Sequence, residues 1–415
     1  MEVTVALEAR YSIAPDGSVW SQFGMARPFW ERYLSVFDKI TILARATRIE
    51  RVPEGSSQVT GDGIEFRGLP DYQGPWQYIR TYSKLRAALR EALPPEGAVI
   101  LRVPSQIANL AEPELQRTSR PIALELVGDP HEVFAPGVIS HPLRSFFRWH
   151  FSSKLLAQCN RAVGVAYVTS ETLQRRYPTR GMQASVSDVE LGAEALKDGT
   201  FWIHYSSIEL DEASISTSVH APRNSNSYQL VTVGSLAQLY KGTDILIDAV
   251  ARCVNAGMDI QVVVVGDGKY RPELMKQAEQ AGMAARIRFA GHVPAGEAVR
   301  KILDESDLFV LPSRTEGLPR AMIEAMARGL PCIGSAVGGI PELLAQTELV
   351  PPNDAAALAQ KIGEILENPG RREAMSIRNL TKSMEYKKSV LAERRRQFYE
   401  YVRSRTERWQ AERKS

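Results

Sequence analysis

The chain has 415 residues, of which 44% are hydrophobic and 24% are charged, and its formal net charge is +3. This length suits two domains, and the composition excludes a largely disordered chain. The small net charge argues against a protein whose main role is to bind duplex DNA or RNA, so we expect no nucleic-acid partner.

The N-terminus lacks the features of a secretion signal. Glu2 and Glu8 flank a short apolar run, whereas a signal peptide has a basic start and a long apolar segment. No stretch reaches the roughly 18–20 apolar residues that span a bilayer. The cysteines are three, an odd number, and widely spaced, which indicates buried thiols rather than disulfides or metal ligands. We therefore expect a cytoplasmic protein, either free or peripheral at the inner face of the membrane.

The first half of the chain contains apolar runs that predict strands at residues 3–7, 40–43, 99–101, 122–127 and 163–169. The loop after the first run, residues 8–23, contains Gly17, Ser18 and Trp20. A second loop, after the fourth run, contains Asp129 and His131. Asp129 either faces a ligand or turns the backbone before its proline. His131 either contacts a bound ligand or is a loop histidine without such a role.

Residues 144–154, with the sequence RSFFRWHFSSK, mix basic and aromatic side chains. They predict a helix with two alternative placements. Such a helix can rest on an anionic bilayer, or it can lie in the interior with its arginines extended to water. The tail from Lys382 to Ser415 is also helical in pattern and holds 11 basic and 5 acidic residues. It is either a solvated helical face or a surface for anionic lipid or phosphate.

The second half has a clear alternation of strands and helices, after a polar linker at residues 213–228. The strands are predicted at residues 228–233, 260–265, 287–290, 308–311 and 331–334, and the helices at residues 243–255, around 298–305, after Pro319 and from Pro341. Unbroken aliphatic strands between amphipathic helices indicate a parallel, doubly wound sheet. Ligands of such sheets bind beyond the carboxyl ends of the strands. The loops after Val233, Val265, Leu311 and Gly334 should therefore share one site.

The segment SRTEGLPRAMIEAMARGLP, from Ser313, places Glu316 in a loop after a strand and Glu324 on the following helix. The amides around Gly317 and Leu318 would present the positive end of the helix dipole to a phosphate or a hydroxyl group. Glu324 would lie about two turns into the helix, where a carboxylate can accept hydrogen bonds from both ribose hydroxyls. Two carboxylates beside a phosphate site are explained by the recognition of hydroxyl groups.

The loop VGSLAQLYKG, from Val233, follows a strand and opens a helix. Its Lys241 stands where an ammonium group could meet a diphosphate. A fixed cation at that place stabilises the charge that develops on a diphosphate leaving group. The glycines Gly338 and Gly339 form another helix entrance after a strand and either approach the ligand or make a plain turn.

These segments together resemble the nucleotide-binding domain of the retaining GT-B glycosyltransferases, in particular glycosyltransferase family 4, the glycosyl transferases group 1. The likeness runs roughly from Tyr228 to Glu367 and rests on VGSL with KG, VGDG, DLFVLPSRTEGLPRAMIEAMARGLP and VGGIPEL, in that order. It implies an α/β protein with two Rossmann-like, doubly wound domains facing a central cleft. We assign residues 1–218 to an acceptor-binding domain, 219–385 to a nucleotide-sugar-binding domain and 386–415 to a basic helix that packs back on the first domain.

The resemblance also implies roles for particular residues. Lys241 would contact the donor phosphates, Glu316 the hydroxyls of the donor sugar and Glu324 the ribose. The main chain of Gly291, His292 and Val293 would lie beside the base, and Gly234 and Ser235 beside the phosphates. Because family members often carry a histidine that reaches the donor sugar, the predicted catalytic residues are Lys241, Glu316 and His131. In the same fold, Gly17, Ser18, Trp20 and Asp129 would line the acceptor side of the cleft.

The reaction implied by the resemblance is the transfer of a sugar from a nucleotide-sugar to a glycan or lipid-linked acceptor, with retention of the anomeric configuration. No metal or other cofactor is expected, because Lys241 and the helix dipoles would serve as the cation. One departure from the family is Ser235, which stands where many members have an arginine and brings no charge. Two alternatives therefore remain open, namely a sugar-nucleotide 2-epimerase of the same fold and a catalytically weak nucleotide-sugar-binding protein.

Overall fold

The computed structural model describes residues 1–22, 24–136, 138, 141–180, 200–220 and 227–415. Contacts divide the chain into two compact units. Unit 1 comprises Met1–Gly128, Phe151–Tyr205 and Ala392–Ser415, and unit 2 comprises Asp129–His150 and Ser206–Leu391. The loop at residues 8–23 and the predicted linker at residues 213–228 each extend partly outside the described residues, at residue 23 and residues 221–226.

Each unit is built on one sheet. The strands of unit 1 are β1 (Glu2–Ile13), β2 (Val19–Ser21), β3 (Lys39–Arg48), β4 (Ser57–Gln58), β5 (Ile64–Pro70), β6 (Ala98–Val103), β7 (Ala123–Leu126), β8 (Gly164–Tyr167) and β9 (Phe201–His204). Those of unit 2 are β10 (Ser227–Val233), β11 (Asp259–Val265), β12 (Ile287–Gly291), β13 (Leu308–Leu311), β14 (Cys332–Ser335) and β15 (Leu349–Val350).

The helices lie between these strands and after the last of them. They are α1 (Arg27–Glu31), α2 (Gly74–Ala92), α3 (Gln106–Gln116), α4 (Pro130–Val133), α5 (Arg144–Arg161), α6 (Thr172–Arg176), α7 (Thr243–Asn255), α8 (Arg271–Gln280), α9 (Glu297–Asp304), α10 (Arg320–Ala327), α11 (Ala355–Leu366), α12 (Pro369–Ser383) and α13 (Lys388–Lys414).

The sheet of unit 1 is parallel in the order β5-β3-β1-β6-β7-β8-β9, and β2 and β4 extend it in antiparallel pairing beside the end of β1. All five strands predicted in this half are present. The strands β5 and β9 were not predicted, because they lie at the two ends of the parallel order and carry half-exposed or exposed side chains. An edge strand of this kind has no continuous aliphatic run to mark it.

The sheet of unit 2 is entirely parallel in the order β12-β11-β10-β13-β14-β15. Its first five strands and the helix at residues 243–255 confirm the predicted alternation. One prediction is wrong in extent, because the helix expected from Pro341 is a single 3₁₀ turn at Ile340–Glu342. The chain reaches β15 after only six more residues, which leaves no length for a helix. Parallel sheets with intervening helices in both units confirm the predicted α/β class.

The units do not coincide with the single stretches of chain proposed from the sequence, 1–218, 219–385 and 386–415. Residues before position 219 already belong to unit 2, because Ser216 N donates to the Ala327 carbonyl and Arg328 donates to the Ser214 carbonyl. Asp129–His150 is likewise grouped with unit 2. The chain from Ala392 onward belongs to unit 1, where the Tyr399 ring stacks on Tyr33 with 4.6 Å between centroids.

Within the described part of the chain, no helix is both long and apolar enough to cross a membrane. The aromatic residues at the start of α5 are not in the interior, since Phe146 is 51% exposed and Trp149 is 64% exposed. The end of the same helix is buried through Leu155 and Cys159. All three cysteines are free and buried, as the sequence predicts.

Candidate active site

The loops that follow the strands of unit 2 are joined through their main chains at three glycines. A Cβ atom on Gly242 would overlap the Pro312 carbonyl, one on Gly266 would overlap Gly234, and one on Gly338 would overlap the Glu316 carbonyl. Each of the three has a positive φ angle, which glycine adopts without strain. The loops after β10, β11, β13 and β14 therefore meet at one edge of the sheet, where the sequence places a ligand site.

The centre of this loop cluster is an ion pair between Lys241 and Glu316. Lys241 Nζ donates to Glu316 Oε1 at 2.6 Å, and Ser313 Oγ donates to the same oxygen at 2.7 Å. The side chains of Lys241 and Glu316 are 17% and 7% exposed. Gly234 makes room for the lysine, because a Cβ atom there would lie 3.1 Å from Lys241 Cγ. The structure thus brings together three residues that the sequence assigns to one site.

The turn that carries Lys241 is held by Arg314, a residue that the sequence analysis missed. The Arg314 guanidinium binds both carboxylate oxygens of Asp244 at 2.8 and 2.6 Å, and the Arg314 amide donates to the Tyr240 carbonyl at 2.7 Å. A bidentate pair of this kind fixes both position and orientation. Since 70 residues separate Arg314 from Asp244, only their contact in the fold reveals the pair.

Glu324 lies on α10 and is half-buried, and it has no hydrogen-bond partner among the described residues. Burial raises the pKa of Glu324, and the nearby Arg320 and Arg300 oppose this shift. The carboxylate lines a cavity of about 230 Å³ in unit 2 together with Gly296 and Arg300. The described lining of this cavity does not include Lys241 or Glu316. Glu324 is therefore a desolvated acceptor in a cavity whose described lining is separate from the lysine–glutamate pair.

The remaining residues of the predicted donor site lie in the loops after β10 and β13 and at the end of β12. Ser235 Oγ accepts a hydrogen bond from the Ala237 amide at 3.2 Å, which closes a local turn. The Gly291 carbonyl accepts from the Gly266 amide at 2.8 Å, and His292 is exposed while Val293 is half-buried. Gly317 accepts from the Gly339 amide at 2.7 Å. Leu318 is half-buried in the loop that precedes Pro319, the N-cap residue of α10.

His131 lies in α4 and is held by Arg148 of helix α5. Arg148 Nε donates to the His131 carbonyl at 2.9 Å, and Arg148 Nη2 lies 3.0 Å from His131 Nδ1. Asp129 is buried and caps α4 by accepting from the His131 amide at 2.9 Å. This capping is the backbone-turning role that the sequence offers for an Asp-Pro step. The contacts group both residues with unit 2, which also contains Lys241, Glu316 and Glu324.

The residues assigned to the acceptor side in the first loop form a hairpin in unit 1. Gly17 has a φ angle of 83° in the turn between β1 and β2. Ser18 Oγ donates to Asp16 at 2.6 Å and accepts from the Trp20 indole at 2.7 Å. The Ser18 hydroxyl is thus engaged within the hairpin, and Trp20 is half-buried in β2. Across the described residues, no group of three or more histidine, cysteine, aspartate or glutamate side chains could hold a metal ion.

Two units that are each built on a parallel sheet are typical of the GT-B fold, and solved structures with this fold match nearly the whole chain. Sucrose-phosphate synthase from Thermosynechococcus elongatus is 16% identical over 97% of this chain and 99% of its own, with a TM-score of 0.68. HepE from Anabaena, solved in complex with UDP-glucose, is 15% identical over 96% of this chain and 98% of its own, with a TM-score of 0.62. The predicted GT-B fold is confirmed.

Residues 217–381 match the family described as glycosyl transferases group 1. Protein CapJ of Staphylococcus aureus is 25% identical over 86% of this chain and 84% of its own length. The amylovoran biosynthesis glycosyltransferase AmsK of Erwinia amylovora is 34% identical, over 32% of this chain and 35% of its own length. The match to AmsK thus covers about a third of each chain. The predicted likeness to the glycosyl transferases group 1 is confirmed for residues 217–381.

Proposed function

We propose that this chain is a retaining, metal-independent glycosyltransferase that transfers a hexosyl group from a nucleotide-sugar to a glycan or lipid-linked acceptor in cell-envelope polysaccharide synthesis. The observation that carries the proposal is the ion pair between Lys241 Nζ and Glu316 Oε1 at the joined loops of unit 2. It places a cation and a hydroxyl acceptor side by side, which are the two groups that a sugar diphosphate requires.

Lys241 is the group that stabilises the leaving diphosphate. As the bond between the sugar and the diphosphate breaks, negative charge accumulates on the phosphate oxygens, and a fixed ammonium group stabilises that charge more in the transition state than in the ground state. The lysine is held for this role by the Arg314–Asp244 pair, which fixes the turn at Tyr240. Ser235 adds no charge, so the electrostatic contribution of this loop rests on Lys241.

Glu316 and Glu324 divide the recognition of hydroxyl groups between them. Glu316 shares its Oε1 between Lys241 and Ser313, and in this proposal its other oxygen accepts from a hydroxyl of the donor sugar. Glu324 is unpaired among the described residues and desolvated, so a ribose supplies the hydrogen bonds that its carboxylate lacks. HepE, bound to UDP-glucose in its solved structure, supports a nucleotide-sugar as the ligand class.

The family likeness is what supports retention of configuration and independence from a metal in this proposal. In this proposal Lys241 and the N-terminal end of α10 supply the positive charge that a metal would otherwise provide. His131 is proposed to contact the donor sugar, and Gly17, Ser18, Trp20 and Asp129 are proposed for the acceptor side. The similarity to AmsK, named for amylovoran biosynthesis, supports a polysaccharide acceptor.

The proposal is tested by following the reaction with a panel of nucleotide-sugars and extracted envelope glycans or lipid-linked acceptors. We expect sugar transfer only when an acceptor is present, insensitivity to EDTA, and a product whose anomeric configuration by NMR matches that of the donor. An inverted product would contradict retention. Conversion of the nucleotide-sugar without an acceptor would instead indicate the 2-epimerase, and binding without any turnover would indicate a nucleotide-sugar-binding protein.

Peripheral membrane contact is a separate part of the proposal. The exposed Phe146 and Trp149 at the start of α5 are the residues that would enter the interface of an anionic bilayer. Sedimentation with liposomes should show pelleting that requires anionic lipid and that is lost in a Phe146→Ser, Trp149→Ser variant. Equal pelleting of both proteins, or none with anionic liposomes, would remove this part of the proposal.

A further inference from the structure

Unit 1 contains a second cavity, distinct in its residues from the loop cluster of unit 2. Its volume is about 490 Å³, and it lies where β7 and β8 begin, beside Ile122 and Val163. The last turns of α13 form one wall. This is the end of β7 opposite to the loop that leads to His131. We call it the arginine cavity, because five arginines line it: Arg120, Arg161, Arg180, Arg405 and Arg408.

Two of these arginines have structural partners. Arg161 binds Glu112 through Nε at 2.9 Å and Nη2 at 2.6 Å. Arg120 is buried and donates to carbonyls in the turn before β6, among them Gly97 and Glu96. Carbonyl groups satisfy its hydrogen bonds but do not neutralise its charge. The positions of Arg161 and Arg120 are thus explained by contacts within the fold and require no ligand.

The side chains of the other three arginines have no such partners among the described residues. The guanidinium groups of Arg180, Arg405 and Arg408 make no hydrogen bond or ion pair with any residue that the structure describes. Arg405 Nε is buried without an acceptor. The only carboxylate in the described lining is Glu412, so the cavity carries an excess of positive charge. Like charges held close together repel, and a buried donor without an acceptor costs free energy, so an anion would relieve both.

One wall of the cavity is rigid and aromatic. Trp409 is 7% exposed, and its indole donates to the Thr118 carbonyl at 3.2 Å. The Arg413 guanidinium lies 5.0 Å from the centre of its ring, and Arg120 lies 5.9 Å from it. Cations over an aromatic face are held in place without being neutralised. The wall therefore holds guanidinium groups in place and adds an apolar surface against which a ring of a ligand can stack.

We propose that the arginine cavity binds the phosphate or diphosphate group of a phosphorylated ligand. Guanidinium groups match the geometry of phosphate oxygens, and the volume lies within the range of small-molecule sites. Pro121, Ile122 and Trp409 offer an apolar side for the rest of the ligand. The phosphate group can belong to a soluble metabolite or to a lipid headgroup, and the experiment separates the two sources.

The probe is inorganic pyrophosphate, titrated by calorimetry into the Lys241→Ala variant of the full chain. This background removes the ammonium group of the loop cluster, so binding that remains reports on the cavity. We expect one equivalent to bind, and we expect the added changes Arg405→Gln and Arg408→Gln to weaken binding at least about tenfold. The matched control is Arg396→Gln with Arg403→Gln, two arginines of α13 paired with nearby glutamates, which should leave binding unchanged.

The second arm uses vesicles of phosphatidylcholine with and without phosphatidic acid. Binding to phosphatidic acid that requires Arg405 and Arg408, together with no binding of soluble pyrophosphate, assigns the phosphate group to a lipid. Binding of neither probe would overturn the proposal. An equal loss in the matched control would also overturn it, because the effect would then be one of net charge. Thermal unfolding of every variant checks that the fold is kept. Because the side chains of Arg405 and Arg408 make no ion pair with any described residue, we expect the double variant to remain folded.

Discussion

The loop cluster of unit 2 and the arginine cavity of unit 1 both present positive charge, but they hold it differently. In the loop cluster, Lys241 is 2.6 Å from a carboxylate that is itself bound by Ser313. In the cavity, the side chains of Arg180, Arg405 and Arg408 make no ion pair with any described residue, and Glu412 is the only carboxylate in the described lining. A paired cation is positioned before the ligand arrives, and the ligand must compete with Glu316. An unpaired cluster is instead neutralised by its ligand.

Removal of the paired cation should have the largest effect. Lys241→Ala is expected to lower kcat by roughly 10²–10³, the loss typical of removing one group that stabilises charge in the transition state. The donor KM should change less than kcat. The matched control is Lys276→Ala, because Lys276 is an exposed lysine of α8. An unchanged kcat for Lys241→Ala would show that the ion pair is structural only.

The substitution Gly338→Ala tests whether the close contact between the loops after β13 and β14 supports the candidate site. The new Cβ atom would overlap the Glu316 carbonyl, and the residue has a φ angle of 53°. We expect a loss of both thermal stability and donor affinity, because the loop that carries Glu316 must shift. Gly282→Ala is the control, since Gly282 has a φ angle of 73° but open space around its Cβ position. Equal losses in the two variants would attribute the effect to backbone strain alone.

Glu324 gives a smaller effect that depends on pH. Burial raises its pKa in the folded chain, so the protonated form is favoured by folding. Its contribution to stability is fully present below the unfolded pKa of about 4.3 and is lost as the pH rises through the folded pKa. Glu324→Gln, which mimics the protonated form, should therefore be more stable than the wild type at neutral pH and equal to it near pH 4.

Urea unfolding at the two pH values measures this difference. The control is Glu279→Gln at an exposed position of α8, which should show no gain at neutral pH. The same Glu324→Gln change should weaken donor binding, because a neutral amide is a poorer acceptor for two hydroxyls than a carboxylate. A variant that is less stable at neutral pH would contradict the view that the carboxylate is unpaired in the free protein.

The smallest expected effect is a change in melting temperature when two arginines of the arginine cavity are replaced. The double variant Arg405→Gln, Arg408→Gln should keep or slightly raise the melting temperature, since it removes repulsion and breaks no ion pair among the described residues. Arg396→Gln with Arg403→Gln should slightly lower it, because these arginines pair with Glu393, Glu400 and Glu407. A clear loss of stability in the first variant alone would make Arg405 and Arg408 structural residues.

Much of unit 2 could be predicted from the sequence because its strands are buried on both faces. The run Leu308–Leu311 is entirely aliphatic or aromatic and is found as β13 without a shift. The predicted helix at residues 243–255 is α7 with the same limits. Gly234, Lys241 and Glu316 could be placed together because parallel strands deliver their following loops to one edge of the sheet.

The features that were missed depend on contacts between distant parts of the chain. The Arg314–Asp244 pair has no local pattern, and neither residue stands out among exposed charges. The arginine cavity is assembled from four separate segments, around positions 120, 161, 180 and 408. The basic composition of the tail was visible, but its sequence could not distinguish Arg396, which pairs with Glu393 and Glu400, from Arg405, which has no ion-pair partner among the described residues. Only the packing of α13 on unit 1 separates them.

The most direct test of the proposed donor site is calorimetry with UDP-, GDP-, dTDP- and ADP-sugars against the wild type, Lys241→Ala and Glu324→Ala. We expect one nucleotide series to bind the wild type and to bind each variant at least about tenfold more weakly. That result would establish the loop cluster as the donor site and identify the base. Equal binding to all three proteins would contradict it, because the two residues that carry the assignment would then make no contact with the donor.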